Sequence, residues 1–239
     1  MEQCLKLGLT LSQRYYFAKP RLIAGKRLEQ SVVWLLILTA RVLSDAETSK
    51  LEEALKPEPG LTVNLLRMTN SVGAGTSEKI TSLRHAITVL GRRQLQRWLQ
   101  LLVFSSGAQA GASNPLLMLA ATRGRLMELL AEDLRPGDGA LADRAFMAGI
   151  MSLMPALVGL PIAEIVAPLG LTGDVRDALC EGSGQLGDML HLAESSESGE
   201  LETLTSNLAK LPGLSAKRLN QAQTSALQWA NSITDSSTN

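Results

Sequence analysis

Apolar positions recur with a helical period along nearly all of the chain after Gly25, and only one short segment, Tyr15 to Phe17, has the character of a strand. The pattern predicts helices near 28–43, 47–55, 60–71, 80–90, 92–106, 114–132 and 139–151, then shorter ones near 161–167, 173–181, 184–198, 200–210 and 215–233. Asp45, Asn114, Asp138 and Ser215 stand where N-caps are needed, with side-chain oxygens able to accept from first-turn amides. Gly91 falls between two helical runs and predicts a bend, since glycine inside a helix costs about 1 kcal/mol relative to alanine. The expected fold class is all-α: a multi-helix bundle with a short N-terminal extended segment.

Two stretches are apolar beyond a single face. Ser31 to Leu43 is apolar around most of its circumference, as in a helix surrounded by protein. Phe146 to Leu171 carries Glu164 as its only charge, yet Pro155, Pro161 and Pro168 divide it into pieces too short to cross a bilayer as unbroken helix. Buried helices joined by tight turns are expected there, with no membrane segment.

The length, 239 residues, suffices for one large or two small domains with proper apolar cores. Basic and acidic residues balance at 23 each, so no global field draws the chain to nucleic acid or anionic lipid. Cys4 and Cys180 are too few and too distant to suggest a disulfide framework, and the N-terminus has no secretory pattern, so a cytoplasmic setting is expected.

Candidate chemistry is sparse. The only imidazoles are His85 and His191, too few for a conventional histidine-rich metal centre. His85 fits a polar or interface side chain, a partner contact or a pH-sensitive group; His191 has Glu194 three residues on and suits a surface hydrogen bond or ion pair. Gly182-Ser183-Gly184-Gln185-Leu186-Gly187 has the three-glycine spacing of a dinucleotide loop. It follows a helix rather than a strand, so a helix C-cap and a new helix start explain it better.

The most suggestive surface is basic. Arg84, Arg92, Arg93 and Arg97 lie in one helical region, and they are the candidate partner-binding residues, against the alternatives of a solvated ion-paired face or a phosphate grip. With aromatics at only 3% of the chain, stacking platforms are few and nucleic acid is not the expected partner.

From Asn64 to Ser105 the chain joins two apolar helices through a Gly-containing turn. Leu65, Leu66, Asn70, Ser71, Gly75, Ile80, Ser82, Ala86, Leu90, Gly91, Arg93, Gln94, Leu95 and Trp98 stand there in the order and spacing of HDOD domains, the helical output modules of bacterial signalling proteins. The resemblance continues through Ala145 to Leu153, Glu164, Val175 to Leu179, Gly184, Leu186-Gly187 and Gln228-Trp229-Ala230. Earlier, Gln13 to Pro20 with Ile23, Gly25, Lys26 and Leu28 is similar to the last strand and exit of an EAL barrel, with Arg14 where that pattern has Gly. This implies an EAL-like remnant over 1–27, an HDOD-like domain over 28–233 and a polar tail over 234–239.

HDOD domains are related in fold to the HD metal phosphohydrolases, and by the resemblance Ser152 and Leu153 occupy the place of the His-Asp pair. The resemblance therefore implies no catalytic metal, no cofactor and no enzyme activity, but output by contact with an unidentified signalling protein near cyclic di-GMP. These residues supply no barrel carboxylates, so phosphodiesterase chemistry is not expected of them. A homodimer formed over the edge at Leu5 to Phe17 is a further option. Two rival readings are a divergent phosphohydrolase using Glu132, Asp133, Asp138 and Asp143 with a histidine, and a nucleotide-binding sensor with a basic groove.

Overall fold

The computed structural model describes residues 65, 66, 69, 70, 80, 82, 85, 88, 89, 91–105 and 114–234. The strand expected at Tyr15 to Phe17, the EAL-like segment, the helices near 28–43 and 47–55, Asp45 and Arg84 lie outside them. Every regular element among the described residues is helical: α1 (Arg92–Ser105), α2 (Pro115–Leu134), α3 (Gly139–Met151), α4 (Met154–Val158), α5 (Ile162–Val166), a 3-10 turn (Ala167–Leu169), α6 (Gly173–Glu181), α7 (Gly184–Ser198), α8 (Leu201–Ala209) and α9 (Ala216–Thr234). The fold is an all-α bundle.

The expected caps form. Asn114 Oδ1 accepts from the Leu117 amide at 3.1 Å, Asp138 Oδ1 from Leu141 at 2.9 Å, and Ser215 Oγ from Arg218 at 3.3 Å. Gly91 has φ +76 and lies just before α1, so the bend there uses a conformation that other residues rarely adopt. Asn70 explains its own place in the signature: its amide donates to the Leu66 and Ile80 carbonyls, both at 2.7 Å, and its Oδ1 accepts from the Ile80 amide at 2.7 Å. One side chain thus pairs with both backbone groups of Ile80, as a strand neighbour would.

The apolar run after Phe146 breaks as its prolines dictate. α3 stops at Met151, Pro155 sits in the first turn of α4, Pro161 precedes α5, and Pro168 lies in the 3-10 turn. The short α4 and the 3-10 turn were not foreseen from the pattern. Residues 139–158 are long and apolar enough to cross a membrane by length and composition, but 67% of the stretch is buried inside the protein.

α2 is the axle. It packs most intimately on α3, and α9, α7 and α1 lie against its other sides. The α2 and α3 backbones approach closely because glycines face each other: a Cβ on Gly149 would stand 2.9 Å from Gly124 Cα and 3.0 Å from the Arg123 carbonyl oxygen. Trp98, Phe104, Phe146 and Ile150 fill one core cluster, and Leu126, Met127, Met189 and Leu192 a second. α9 spans both, with Ala230 and Ile233 in the first and Leu219, Ala222 and Ala226 in the second. Trp98 and Phe104 are core residues.

Candidate functional site

The α2–α3 crossing sets Arg123 beside Ser152. Arg123 is 1% exposed, so its charge needs partners within the protein. Its Nε and Nη2 donate to Glu197 Oε1 and Oε2 at 2.8 and 2.5 Å, a bidentate pair. Its Nη1 donates to Ser152 Oγ at 2.7 Å and to Glu194 Oε1 at 3.2 Å. Ser152 Oγ in turn donates to the Gly149 carbonyl at 2.7 Å. Leu153, next in the chain, is buried in the core. Burial pushes the Glu197 carboxyl above the usual glutamate range, against the hydrogen bond and charge of Arg123, and the charge of Glu194 adds to the rise.

Where the resemblance places a metal-binding pair, this chain therefore presents a hydroxyl bonded to its own guanidinium and an alkyl group buried in the core. The donor set does not fit a metal centre. Both carboxylates that could serve are already held by Arg123, and a cation entering there would meet a fixed positive charge. No cluster of three or more His, Cys, Asp or Glu able to hold a metal occurs among the described residues.

The acids of the rival hydrolase reading do not converge on one site. Asp133 accepts from Arg218 at 2.7 Å, Asp138 caps α3, Asp143 lies 3.8 Å from Arg97, and Glu132 is exposed. His191 lies 4.0 Å from Glu194 and packs over Gly182, where a Cβ would come 2.5 Å from its Nε2. Gly182 caps α6 with φ +65, and Gly187 lies against its backbone, so the three-glycine segment serves a tight passage between α6 and α7. His85 is half-buried, and its amide donates to Ser82 Oγ at 3.1 Å.

Arg92 and Arg93 lie in the first turn of α1. Arg97 turns inward: its side chain is 12% exposed, is paired with the fully buried Glu128, and lies over the Phe146 ring at 5.4 Å. Arg125 Nη1 donates to the other Glu128 oxygen at 2.5 Å. This differs from the sequence expectation of an exposed contact residue, because Glu128 in the core has to be neutralised and Arg97 is placed to do it. A groove of about 450 Å³ lies between α3, α6 and the start of α7. It sets Arg135 and Arg144 against Asp174 and Asp177, and Arg144 Nε already donates to Asp174 at 2.7 Å.

The sequence model of the HDOD domain matches residues 30–164, more than half of the chain. YuxH, an uncharacterized protein of Bacillus subtilis, is 27% identical over 238 residues, covering 98% of this chain and 56% of YuxH. The cyclic di-GMP phosphodiesterase CdgJ of Vibrio cholerae is 27% identical over 232 residues, covering 97% of this chain and 53% of CdgJ. The chain thus spans about half the length of these curated relatives. A crystal structure from Shewanella amazonensis, assigned as a phosphohydrolase, matches with a TM-score of 0.56 over 88% of this chain and 94% of its own, at 16% identity. That likeness shows the helical fold alone.

Proposed function

The chain belongs to the HDOD domain family, and from that premise we propose that it is a non-catalytic output and scaffold module, passing a bacterial signal by protein contact. The observation that carries this reading is the Arg123 cluster. A guanidinium bonded to Glu194, Glu197 and Ser152 fills the ground that a catalytic cation would need and holds the carboxylates that could ligate one. The name of the Vibrio cholerae relative supports a place near cyclic di-GMP signalling, with turnover of that nucleotide left to a different part of such proteins. Arg92 and Arg93, at the start of α1, remain the contact candidates on the signature segment, toward an unidentified signalling protein or a second copy of the chain.

The test has two arms. The purified chain, supplied with Mg²⁺ or Mn²⁺, is assayed against cyclic di-GMP and a simple phosphomonoester; no turnover is expected, and turnover abolished by a chelator would overturn the reading. In parallel, partners captured by the wild-type chain are compared with those of a folded Arg92→Glu, Arg93→Glu variant. Loss of a specific partner is expected, and retention of every partner would remove these arginines from the contact.

A further inference from the structure

We propose that Arg123 is a latch on the last turn of α7 and, through that turn, on α8. The proposal concerns the junction of α7 and α8 and does not rest on the output role. Glu194 and Glu197 both fall in the final turn of α7, which holds no basic residue. The C-terminal end of a helix is its negative end, so two carboxylates there work against the turn that carries them. A single guanidinium reaching across from α2 offsets both.

The same stretch of α7 holds α8 on its other edge. Asn207 Nδ2 of α8 donates to the His191 carbonyl at 3.2 Å and to Ser195 Oγ at 3.3 Å, and both Asn207 and Ser195 are buried. Ser195 lies between the two glutamates in sequence, so the turn gripped by Arg123 on one side is the turn gripped by Asn207 on the other. α8 packs chiefly on α7 and follows it after only Gly199 and Glu200. Its first residue, Leu201, is 75% exposed, the most exposed large apolar side chain among the described residues. The anchor side of the latch is rigid by contrast: Arg123 sits at the Gly124–Gly149 contact, and Ser152 is tied to the Gly149 carbonyl. Releasing Arg123 frees the last turn of α7, and α8 loses the platform for Asn207 while α2, α3 and α9 keep theirs.

Hydrogen exchange read by mass spectrometry on the full chain tests this. In Arg123→Met, amides over 194–209 should exchange about 10-fold faster or more, while α3 and α9 stay close to wild type, as expected for local opening. Glu197→Ala, which removes both oxygens that accept from Arg123, should give the same local pattern more weakly, and it decides the matter if Arg123→Met does not fold. Asn207→Ala should loosen α8 and leave the last turn of α7 protected. Unchanged protection over 194–209 in Glu197→Ala and Arg123→Met, or a loss spread evenly over α2, α3 and α9, would overturn the latch.

Discussion

Two charges are buried on α2 only five positions apart, and they are held in opposite ways. Glu128 is an anion gripped by two arginines, Arg97 from α1 and Arg125 from its own helix; Arg123 is a cation gripped by two glutamates, both from the end of α7. Among the described residues, Asp143 stands 3.8 Å from Arg97 at the first node and brings the sum of formal charges there to zero. At the second, His191 lies 4.0 Å from Glu194 and adds a positive charge only when protonated. The first node fastens the signature helix to the body. Among the described residues, the second sets two carboxylates against one guanidinium at a helix end, beside α8, which packs chiefly on α7. Removing one partner of a buried pair leaves the other charge uncompensated, so the first node acts as a fixed joint and the second, at the edge of the body, as an adjustable one.

The largest effect should come from unbalancing the joint. Glu128→Ala leaves Arg97 and Arg125 facing each other around a cavity, and the loss should be about 3–5 kcal/mol in urea denaturation, with α1 loosened. Arg123→Met should lower global stability less than Glu128→Ala, with its disturbance confined to α7 and α8. If the two variants loosen the same helices, the contrast between joint and latch fails.

Next is the contact that aims Arg123. In Gly149→Ala the new methyl would press on Gly124 and the Arg123 carbonyl, a clash with backbone that only a shift of α3 relieves. Overpacking of this kind should cost about 1–3 kcal/mol, read as a lower denaturation midpoint. A neutral or stabilising result would mean that α2 and α3 have slack and that Arg123 is not rigidly placed.

A smaller effect is the pH dependence of the adjustable node. Glu197 is raised above its ordinary value of 4.5 by burial, opposed by Arg123 from α2 and aided by Glu194, with Ser152 the polar neighbour from α3. A raised carboxyl favours folding below its unfolded value, and that contribution disappears as pH rises through the folded value. Stability should therefore acquire a downward slope above about pH 4.5 that Glu197→Gln removes. Asp174 has the opposite sign. Burial would raise it, but the Thr172 hydrogen bond and the charge of Arg144 outweigh that and hold it below 3.8, so its contribution is lost as pH falls. The Arg144–Asp174 pair is half-exposed, and Arg144→Gln should cost no more than about 1 kcal/mol.

Much of the helical frame was legible in the chain because it depends on local chemistry. Asn114, Asp138 and Ser215 cap as oxygen acceptors must, and the Gly182 segment is a helix junction for reasons visible in its neighbours. The short α4 escaped because Pro155 reads as a breaker, whereas in a first helical turn it is tolerated. The nodes escaped because they are assembled from far apart: Arg123 meets partners 29, 71 and 74 positions away. One signal was present all the same. Arg123 and Glu128 each interrupt the apolar face of a long helix, and a charge in such a place implies a partner elsewhere. Arg97 misled for the same reason: its spacing from Arg93 suggests a shared surface, while its direction is set by Glu128.

Elemental analysis of the purified chain, expressed in medium replete with iron, manganese and zinc, tests most directly whether a guanidinium stands in this fold where a catalytic ion would. Wild-type protein should carry only substoichiometric metal, with its melting temperature unmoved by chelator. One or more tightly bound transition metals per chain, whose removal lowers that temperature, would contradict the account.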